Sequence, residues 1–379
     1  MGSPLEELLT RHVAVGTVPG AVGLLGAGEV EPVAVGASSV GGPPLRPDAI
    51  VRIQSMTKVV TAVATLRLVE AGRLCLDDTI EPWIPELAGR RVLRSPDAEL
   101  DDTVPAERPI TVRHLLTCTS GHGMAVQDTP LAGAMRANGT EAGPDPVSLG
   151  AQEWLDRLAE LPLAFQPGEG WRYHHSFGVL GILLARVTGR PLPEHLHEDL
   201  LEPLGMVDTG FWVPEEKRDR LPAAYRPDGE GLLETEPAGG GSYVGPPPFD
   251  ADHGELVSTV ADFARFARVL AAGGRHEGTQ VLSAENVRML RSDQVPAGCK
   301  TPESFFPGFW DGVGWGFGVS VQLTGPRSGR FGWGGGAGTE FLVDPDGTVG
   351  ILFTQVELGQ RTAGLFEEFQ ALRDGDPSG

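Results

Sequence analysis

Residues 53–74 read IQSMTKVVTAVATLRLVEAGRL, and this stretch decides how the rest of the chain is interpreted. Apolar residues recur at positions 56, 59, 60, 63 and 66, which is the spacing of an α-helix, and Gly72 is a typical end signal. Because the segment is apolar on nearly every side, we expect a central, buried helix. Two polar residues, Ser55 and Lys58, stand at its beginning.

The spacing of Ser55 and Lys58 predicts a nucleophile and its base. A free serine hydroxyl is a poor nucleophile, and three residues along a helix place both side chains on one face. Lys58 is one of only three lysines in the chain, and an arginine could not replace it as a base because arginine does not deprotonate in proteins. We expect burial and the helix start to lower the pKa of Lys58. The alternative is a capping serine beside an exposed lysine.

Composition limits the function classes. The 379 residues carry a net charge of −21, so we expect no nucleic-acid partner, since no basic face could displace counterions from phosphates. No stretch approaches 18 consecutive apolar residues, so no membrane partner is expected. The opening MGSPLEELLTRHVAVG lacks the basic and apolar regions of a signal peptide, and three widely spaced cysteines favour a reducing compartment. The sequence therefore predicts a cytoplasmic protein.

Strand patterns lie at both ends of the chain and helical patterns lie in the middle. Two short apolar runs within residues 18–38 predict a hairpin, and from residue 315 several strand-like runs follow, one turn being marked by DPDG at 344–347. We expect an α+β fold with one antiparallel sheet built from both termini and flanked by helices. The predicted units are a discontinuous sheet domain, 1–75 and 226–379, and an inserted, mainly helical domain, 76–225. Long irregular stretches are expected around 90–110, 121–150 and 226–255.

Four further segments follow in an order that resembles a known family. They are ITVRHLLTCTSG (110–121), FQPGEGWRYHHSFGVLG (165–181), GELVSTVADFARF (254–266) and WGGGAGTEFLVDPDGTVGILF (333–353). With residues 53–74, they make the chain similar to the penicillin-recognising serine hydrolases. The nearest branch is the class C β-lactamase-like proteins, which include family VIII carboxylesterases and related acyltransferases. The resemblance covers nearly the whole chain and implies the β-lactamase/transpeptidase-like fold.

The resemblance also implies residue roles. Ser55 matches the acylated nucleophile of the family's S-x-x-K element, and Lys58 matches the amine that takes or relays its proton. Tyr173 matches the tyrosine of the Y-x-N element, where a phenol near a cation can act as a base. Gly336 matches the residue whose amide completes the oxyanion hole with that of Ser55. The structural alternative for Tyr173 is a packed side chain at a helix start.

Two departures from the family pattern bear on the substrate. His175 stands at the third position of Y-x-N, where the family has an asparagine that contacts substrate. Trp333, Gly334 and Gly335 replace the Lys-Thr-Gly element, as in family VIII esterases, and a tryptophan cannot pair with a substrate carboxylate. The resemblance therefore favours a neutral ester or acyl donor over penicillins and cell-wall peptides. The alternative for Trp333 is an ordinary edge-strand aromatic.

A candidate acyl pocket is suggested by the aromatic run SFFPGFWDGVGWGFG at 304–318, which includes Trp315 and Phe317. These residues are equally compatible with ordinary core. The long 121–150 segment suggests a lid that turns Met124, Leu131 and Met135 towards a ligand.

The expected activity is acyl transfer in two steps through a Ser55 acyl-enzyme, without a metal or cofactor. The partners are a small-molecule acyl donor and, for a transacylase, an amine or alcohol acceptor. Hydrolysis and transfer stay open at this point, as does the oligomeric state. The alternatives are a β-lactamase or D-aminopeptidase-type hydrolase and a binding protein that keeps the scaffold without turnover.

Overall fold

The computed structural model describes residues 2–372; Met1 and residues 373–379, the ends of the predicted sheet domain, lie outside it. The described helices are α1 (Pro4–Ala14), α2 (Thr57–Glu70), α3 (Val112–Leu116), α4 (Pro130–Asn138), α5 (Ala151–Ala159), α6 (His175–Thr188), α7 (Leu192–Leu196), α8 (Val260–Ala271), α9 (Ala284–Leu290) and α10 (Gln360–Ala371). The described strands are β1 (Gly20–Gly26), β2 (Val33–Gly36), β3 (Val51–Gln54), β4 (Arg91–Leu93), β5 (Thr103–Pro105), β6 (Ala224–Asp228), β7 (Gly231–Glu236), β8 (Leu256–Ser258), β9 (Arg275–His276), β10 (Thr279–Gln280), β11 (Val313–Trp315), β12 (Ser320–Gln322), β13 (Phe331–Gly335), β14 (Thr339–Val343) and β15 (Val349–Phe353).

The main sheet joins the two ends of the chain. Its seven strands are antiparallel and follow the order β11-β12-β13-β14-β15-β1-β2. Strand β1 lies beside β15, with Val22 opposite Phe353, and beside β2, which forms the predicted N-terminal hairpin. Both the α+β fold class and the sheet built from both termini are confirmed.

Helices cover both faces of this sheet. On one face, α1 and α10 pack their apolar stripes against Leu342 and Leu352. On the other face, α8 packs against β14 and β15, where the rings of Phe263 and Phe341 have centroids 5.0 Å apart. Thr259 caps α8 by accepting a hydrogen bond from the amide of Asp262. The central strands β14 and β15 are thus removed from water on both sides.

Helix α2 lies in the centre of the molecule. Eleven of its fourteen residues are buried, as its apolar sequence predicts. The buried set includes Lys58, whose side chain is 0% exposed, so the alternative of a surface lysine is wrong. Burial of a charged side chain is costly unless other charges or hydrogen bonds compensate it. Lys58 therefore needs partners within the core.

The middle of the chain is largely helical, with α3 to α7 between residues 112 and 196. All three stretches that were expected to be irregular contain regular elements. The β4–β5 pair lies within the first, α4 lies within 121–150, and the β6–β7 pair overlaps the start of the third. The division at 75/76 and 225/226 stays a prediction. Among the described residues, no helix combines the length and apolar character needed to span a lipid bilayer.

Candidate active site

Ser55 lies in the short turn between β3 and α2. Its carbonyl accepts a hydrogen bond from the amide of Lys58 at 3.2 Å, which closes the turn. Lys58 Nζ in turn donates to Ser55 Oγ at 3.2 Å. The preceding residue, Gln54, has a φ of 43°, a left-handed conformation that is uncommon for residues other than glycine and is concentrated at functional sites. The geometry places the hydroxyl and the amine in contact.

Tyr173 approaches the same hydroxyl from the segment just before α6. Its ring lies 5.2 Å from Lys58 Nζ, and its phenol lies near the Ser55 side chain. The indole of Trp333, on β13, donates from Nε1 to the phenolic oxygen at 2.7 Å. Phe305 packs against the same ring, with centroids 5.3 Å apart. Thus four predicted site residues from three segments, Ser55, Lys58, Tyr173 and Trp333, meet at one point.

The pKa of Lys58 differs from the sequence expectation. Complete burial lowers it, but the surrounding acidic groups, which are Tyr173 when it is ionised, Asp252 and Glu255, outweigh burial, so the pKa is raised above its ordinary value. The expected depression of the pKa is therefore wrong in direction, because the acidic groups around the amine come from segments far from Lys58 in the sequence. Lys58 is an ammonium at neutral pH in the free protein.

The pKa of Tyr173 is also raised. Burial among aromatic rings disfavours the phenolate, whereas the charge of Lys58 and the hydrogen bonds with Ser55 and Trp333 favour it. Burial prevails, so the resting phenol keeps its proton. Because Lys58 and Tyr173 influence each other strongly, they titrate as a pair, and the first proton to leave belongs to both.

The predicted oxyanion donors come together at the end of β13. A Cβ at Gly335 would overlap the carbonyl of Ile53, so only glycine lets β13 approach β3 this closely. A Cβ at the next residue, Gly336, would lie 2.9 Å from the side-chain oxygen of Gln54, which immediately precedes Ser55. Neither the Ser55 nor the Gly336 amide donates to a backbone carbonyl of residues 2–372. Both amides are therefore free of backbone acceptors, as the prediction of an oxyanion hole requires.

A cavity of about 1200 Å³ opens over this cluster. Ser55, Tyr173 and Gly336 lie in its wall. Three other residues predicted to contact substrate, Met124, Trp333 and Gly334, also line it, together with the aromatic side chains Phe305, Phe306 and Phe309. The predicted aromatic run therefore contributes to the cavity through its first half.

Other predicted substrate contacts lie behind the cavity wall. His175 is 0% exposed and bonds through Nε2 to the carbonyl of Thr140 at 2.7 Å, beside the ring of Trp154. Trp315 and Phe317 are fully buried, and Trp315 supports Trp333 edge-to-face with centroids 4.7 Å apart. Gly335 acts through the backbone contact described above.

The predicted lid residues separate into two groups. Leu131 and Met135 pack in a buried apolar cluster, so only Met124 of the three reaches the cavity. Helical spacing on α4 turns those two residues to one buried face, and a length argument could not reveal that. The same segment contributes residues 142–144 to the cavity wall, with the Pro144 carbonyl accepting from Gln54 Nε2 at 3.2 Å.

Among the wall residues that sequence reasoning missed, Gln54, His174 and Glu255 lie nearest in sequence to the predicted site residues and motifs. All three have a positive φ although none is glycine. His174 stacks on His253 with ring centroids 4.1 Å apart, and burial holds the pKa of both imidazoles well below the ordinary value. Their positions beside Ser55, Tyr173 and the GELVST segment were the available signal, but positive φ cannot be read from residue type alone.

Comparison with known proteins identifies the family. The sequence profile of the Beta-lactamase family matches residues 5–361. The chain belongs to the beta-lactamase family. This confirms the resemblance drawn from the motifs.

Relatives within the family include an esterase. Protein Rv1367c of Mycobacterium tuberculosis is 37% identical over 348 residues, covering 89% of this chain and 84% of that protein. Esterase EstB of Burkholderia gladioli is 31% identical over 328 residues, covering 80% of this chain and 76% of that protein. Among solved structures, EstCE1, described as a hydrolase with promiscuous acyltransferase activity, has a TM-score of 0.76 and 24% identity, with 95% of each chain covered. The fold is therefore that of the family.

Proposed function

We propose that this member of the beta-lactamase family transfers an acyl group through an ester formed on Ser55. The observation that carries the proposal is the contact geometry: Lys58 Nζ lies 3.2 Å from Ser55 Oγ, and Trp333 Nε1 lies 2.7 Å from the Tyr173 oxygen, at the wall of one cavity. A nucleophile, a proton-accepting pair and a substrate space thus coincide.

The proton movements follow from this arrangement. The Tyr173–Lys58 pair, once it has lost one proton, accepts the proton of Ser55 as the oxygen attacks the acyl carbonyl. The amides of Ser55 and Gly336 bind the oxyanion of the tetrahedral intermediate. The pair then returns the proton to the leaving alcohol, and the carbon–oxygen bond of the ester breaks. The acyl group remains on Ser55.

A neutral ester is the acyl donor that the cavity fits best. Phe305, Phe306 and Phe309 provide apolar wall, and Trp333 stands where related enzymes place a lysine for a substrate carboxylate. The indole of Trp333 carries no charge, and its N–H is already bonded to Tyr173. Trp333 therefore offers neither a positive charge nor a free donor to an anion. The name of the relative EstB, an esterase, supports the same class of donor.

The acyl-enzyme passes its acyl group to water or to an alcohol or amine acceptor. Support for transfer comes from the fold neighbour EstCE1, described as a hydrolase that also has acyltransferase activity. A cavity of about 1200 Å³ is large enough to hold a donor and an acceptor. We also propose that this activity belongs to the reducing cytoplasm, because the three cysteines are few and widely spaced, and that it serves the biosynthesis of a small acylated molecule.

Intact-mass measurement after brief exposure to p-nitrophenyl butyrate tests the proposal. The wild-type chain should gain the mass of one butyryl group, and Ser55→Ala should gain none. Ser95→Ala, at an exposed surface serine, serves as the matched control and should behave as wild type. An adduct that persists in Ser55→Ala would refute the assigned nucleophile. Absence of both an adduct and p-nitrophenol release in the wild type would favour a binding protein.

A further inference from the structure

Glu255 lies beside the nucleophile across a short strand pair. Strand β8 runs antiparallel to β3, with Gln54 opposite Leu256. Gln54 and Leu256 are the last paired residues, so Ser55 directly follows one and Glu255 directly precedes the other. Glu255 also lies close enough to Lys58 for their charges to interact. Ser55 and Glu255 line the same cavity. A carboxylate thus stands next to the position of the acyl group.

The backbone at Glu255 is strained. Its φ of 52° and ψ of 148° belong to a region that glycine adopts readily and other residues rarely do. Two hydrogen bonds fix this conformation: the Glu255 amide donates to the Asp252 carbonyl at 3.0 Å, and the Leu256 amide donates to Thr57 Oγ1 at 2.9 Å. The first bond closes the turn that precedes Glu255, and the second ties the next residue to the start of α2. A side chain held here at a cost points to a function.

The charges around Glu255 permit an anion near neutral pH. Burial raises the pKa of its carboxyl to about 7, with the charge of Lys58 opposing and that of Asp252 reinforcing the shift. Asp252, which accepts a hydrogen bond from Thr61, and the buried phenol of Tyr243 are the other groups that influence this site. Above about pH 7 the cavity therefore contains one carboxylate beside Ser55, although the acyl-binding wall is apolar.

We infer that Glu255 binds the protonated nitrogen of an amine acceptor and thereby directs the Ser55 acyl group to amines in preference to alcohols. The inference rests on the proposed acyl-enzyme. An ammonium group forms a charge-assisted hydrogen bond with a carboxylate, which a neutral alcohol of the same shape cannot match. The net charge of −21 also raises the local concentration of cations near the protein.

The transfer step balances as follows. The bound ammonium gives one proton to the Glu255 carboxylate and becomes a neutral amine. Its nitrogen lone pair forms the bond to the acyl carbon, and the bond between that carbon and Ser55 Oγ breaks. The second nitrogen proton passes through the Tyr173–Lys58 pair to Ser55 Oγ, and Glu255 releases its proton to solvent. The products are an amide and free Ser55.

Competition between matched acceptors tests the inference. The enzyme is acylated with p-nitrophenyl butyrate at pH 8 in the presence of equal concentrations of 3-methylbutylamine and 3-methylbutan-1-ol, and the amide-to-ester product ratio is measured by mass spectrometry. Parallel reactions with Ser55→Ala give the background. Glu255→Gln should lower the ratio about tenfold or more, the size expected for losing a charged hydrogen-bond partner. Glu255→Asp, which keeps the charge, should retain most of the preference.

Two further variants separate charge from structure. Glu255→Gly suits the strained backbone and should lower the ratio as much as Glu255→Gln does. Glu357→Gln removes another acid of the cavity wall, one that pairs with Arg226, and should leave the ratio unchanged. An unchanged ratio in Glu255→Gln and Glu255→Gly overturns the inference, as does an equal fall in Glu357→Gln. If the wild type forms the Ser55 adduct but no amide, only this inference fails; without the adduct the proposed function fails too.

Discussion

The indole Nε1 of Trp333 donates a hydrogen bond to the phenolic oxygen of Tyr173 at 2.7 Å. This bond links a residue of the sheet to a residue at the start of α6 and fixes the phenol beside Ser55. A donor aimed at the oxygen stabilises the phenolate more than the phenol. Trp333 stands where related enzymes have a lysine, and it therefore also changes the pKa of the candidate base Tyr173.

Trp333→Phe should weaken catalysis by making Tyr173 a poorer acid. Loss of a hydrogen bond to a charged group costs about 1.5 to 3 kcal/mol, which corresponds to about one to two pH units. We expect the alkaline rise of kcat/KM for p-nitrophenyl butyrate to move upwards by about that amount. Stopped-flow release of p-nitrophenol between pH 7 and pH 10.5 measures the shift.

Trp310→Phe is the control for this substitution. Trp310 belongs to the same aromatic group, but its Nε1 donates to Ser304 Oγ at 2.8 Å instead of to Tyr173. Its profile should keep the wild-type midpoint. Identical profiles for wild type and Trp333→Phe would show that the bond has no influence on the base.

The sequence predicted the fold and the cluster because the relevant signals are local. Each signal is contained within a short stretch of sequence. The stretches are the apolar pattern of α2, the pair Ser55 and Lys58, and the residues just before Tyr173. The DPDG turn likewise marks the junction of β14 and β15, which the structure confirms. Family motifs then connected these local signals along the chain.

The remaining features depend on contacts between distant segments. Lys58 has a raised pKa because Asp252 and Glu255 approach it from the other end of the chain. His175 faces Thr140 and Trp154 instead of the cavity because α6 turns it into the core. The β6–β7 hairpin was missed although Asp228 and Gly229 mark its turn, since its strands lack a regular alternation of apolar and polar residues.

The activity of the wild type should rise with pH well above neutrality. Both Lys58 and Tyr173 have raised pKa values, so at neutral pH the pair holds both protons, and the active form gains about tenfold per unit as pH rises towards the first dissociation. The increase of activity above about pH 8 reflects the ionisation of Lys58 and Tyr173, because Glu255, with a pKa of about 7, is already mostly ionised there. A profile that is flat from pH 7 to 10 would contradict the assignment.

Lys58→Arg should abolish this rise. The substitution keeps a positive charge, but a guanidinium does not deprotonate, and a larger side chain must enter a completely buried site. We expect kcat to fall by about a thousandfold or more, comparable to the loss of a catalytic base. Thermal unfolding followed by circular dichroism checks that the variant folds. Substantial activity in a folded Lys58→Arg would exclude proton relay through this amine.

Gly335→Ala should impair the oxyanion site. The added methyl group would overlap the Ile53 carbonyl and push β13 away from β3, carrying Gly336 with it. We expect kcat to fall about a hundredfold, the effect of losing one oxyanion donor, with a modest loss of stability. Gly364→Ala, at an open position of α10, should leave kcat unchanged. Equal activities of the two variants would show that the close approach of β13 has no catalytic value.

Glu340 should make stability depend on pH. Its Oε2 is buried and unpartnered among the described residues, and Oε1 accepts from Gln370 Nε2 at 2.6 Å. Burial raises the pKa of this carboxyl from 4.5 to about 7, so the folded protein favours the protonated form. The stability from this protonated carboxyl is fully present below the pKa of the unfolded chain. It is lost as pH rises through the folded pKa of about 7, and the loss is about 2 to 3 kcal/mol.

Glu340→Gln keeps an acceptor for Gln370 but cannot ionise. Relative to wild type, its free energy of unfolding should therefore increase between pH 5 and pH 8 by about 2 to 3 kcal/mol, as measured by urea denaturation. The exposed Glu99→Gln variant should differ from wild type by the same amount at both pH values. A Glu340→Gln difference that does not change with pH would mean that this carboxylate is solvated, and that the far end of the cavity is wetter than its packing indicates.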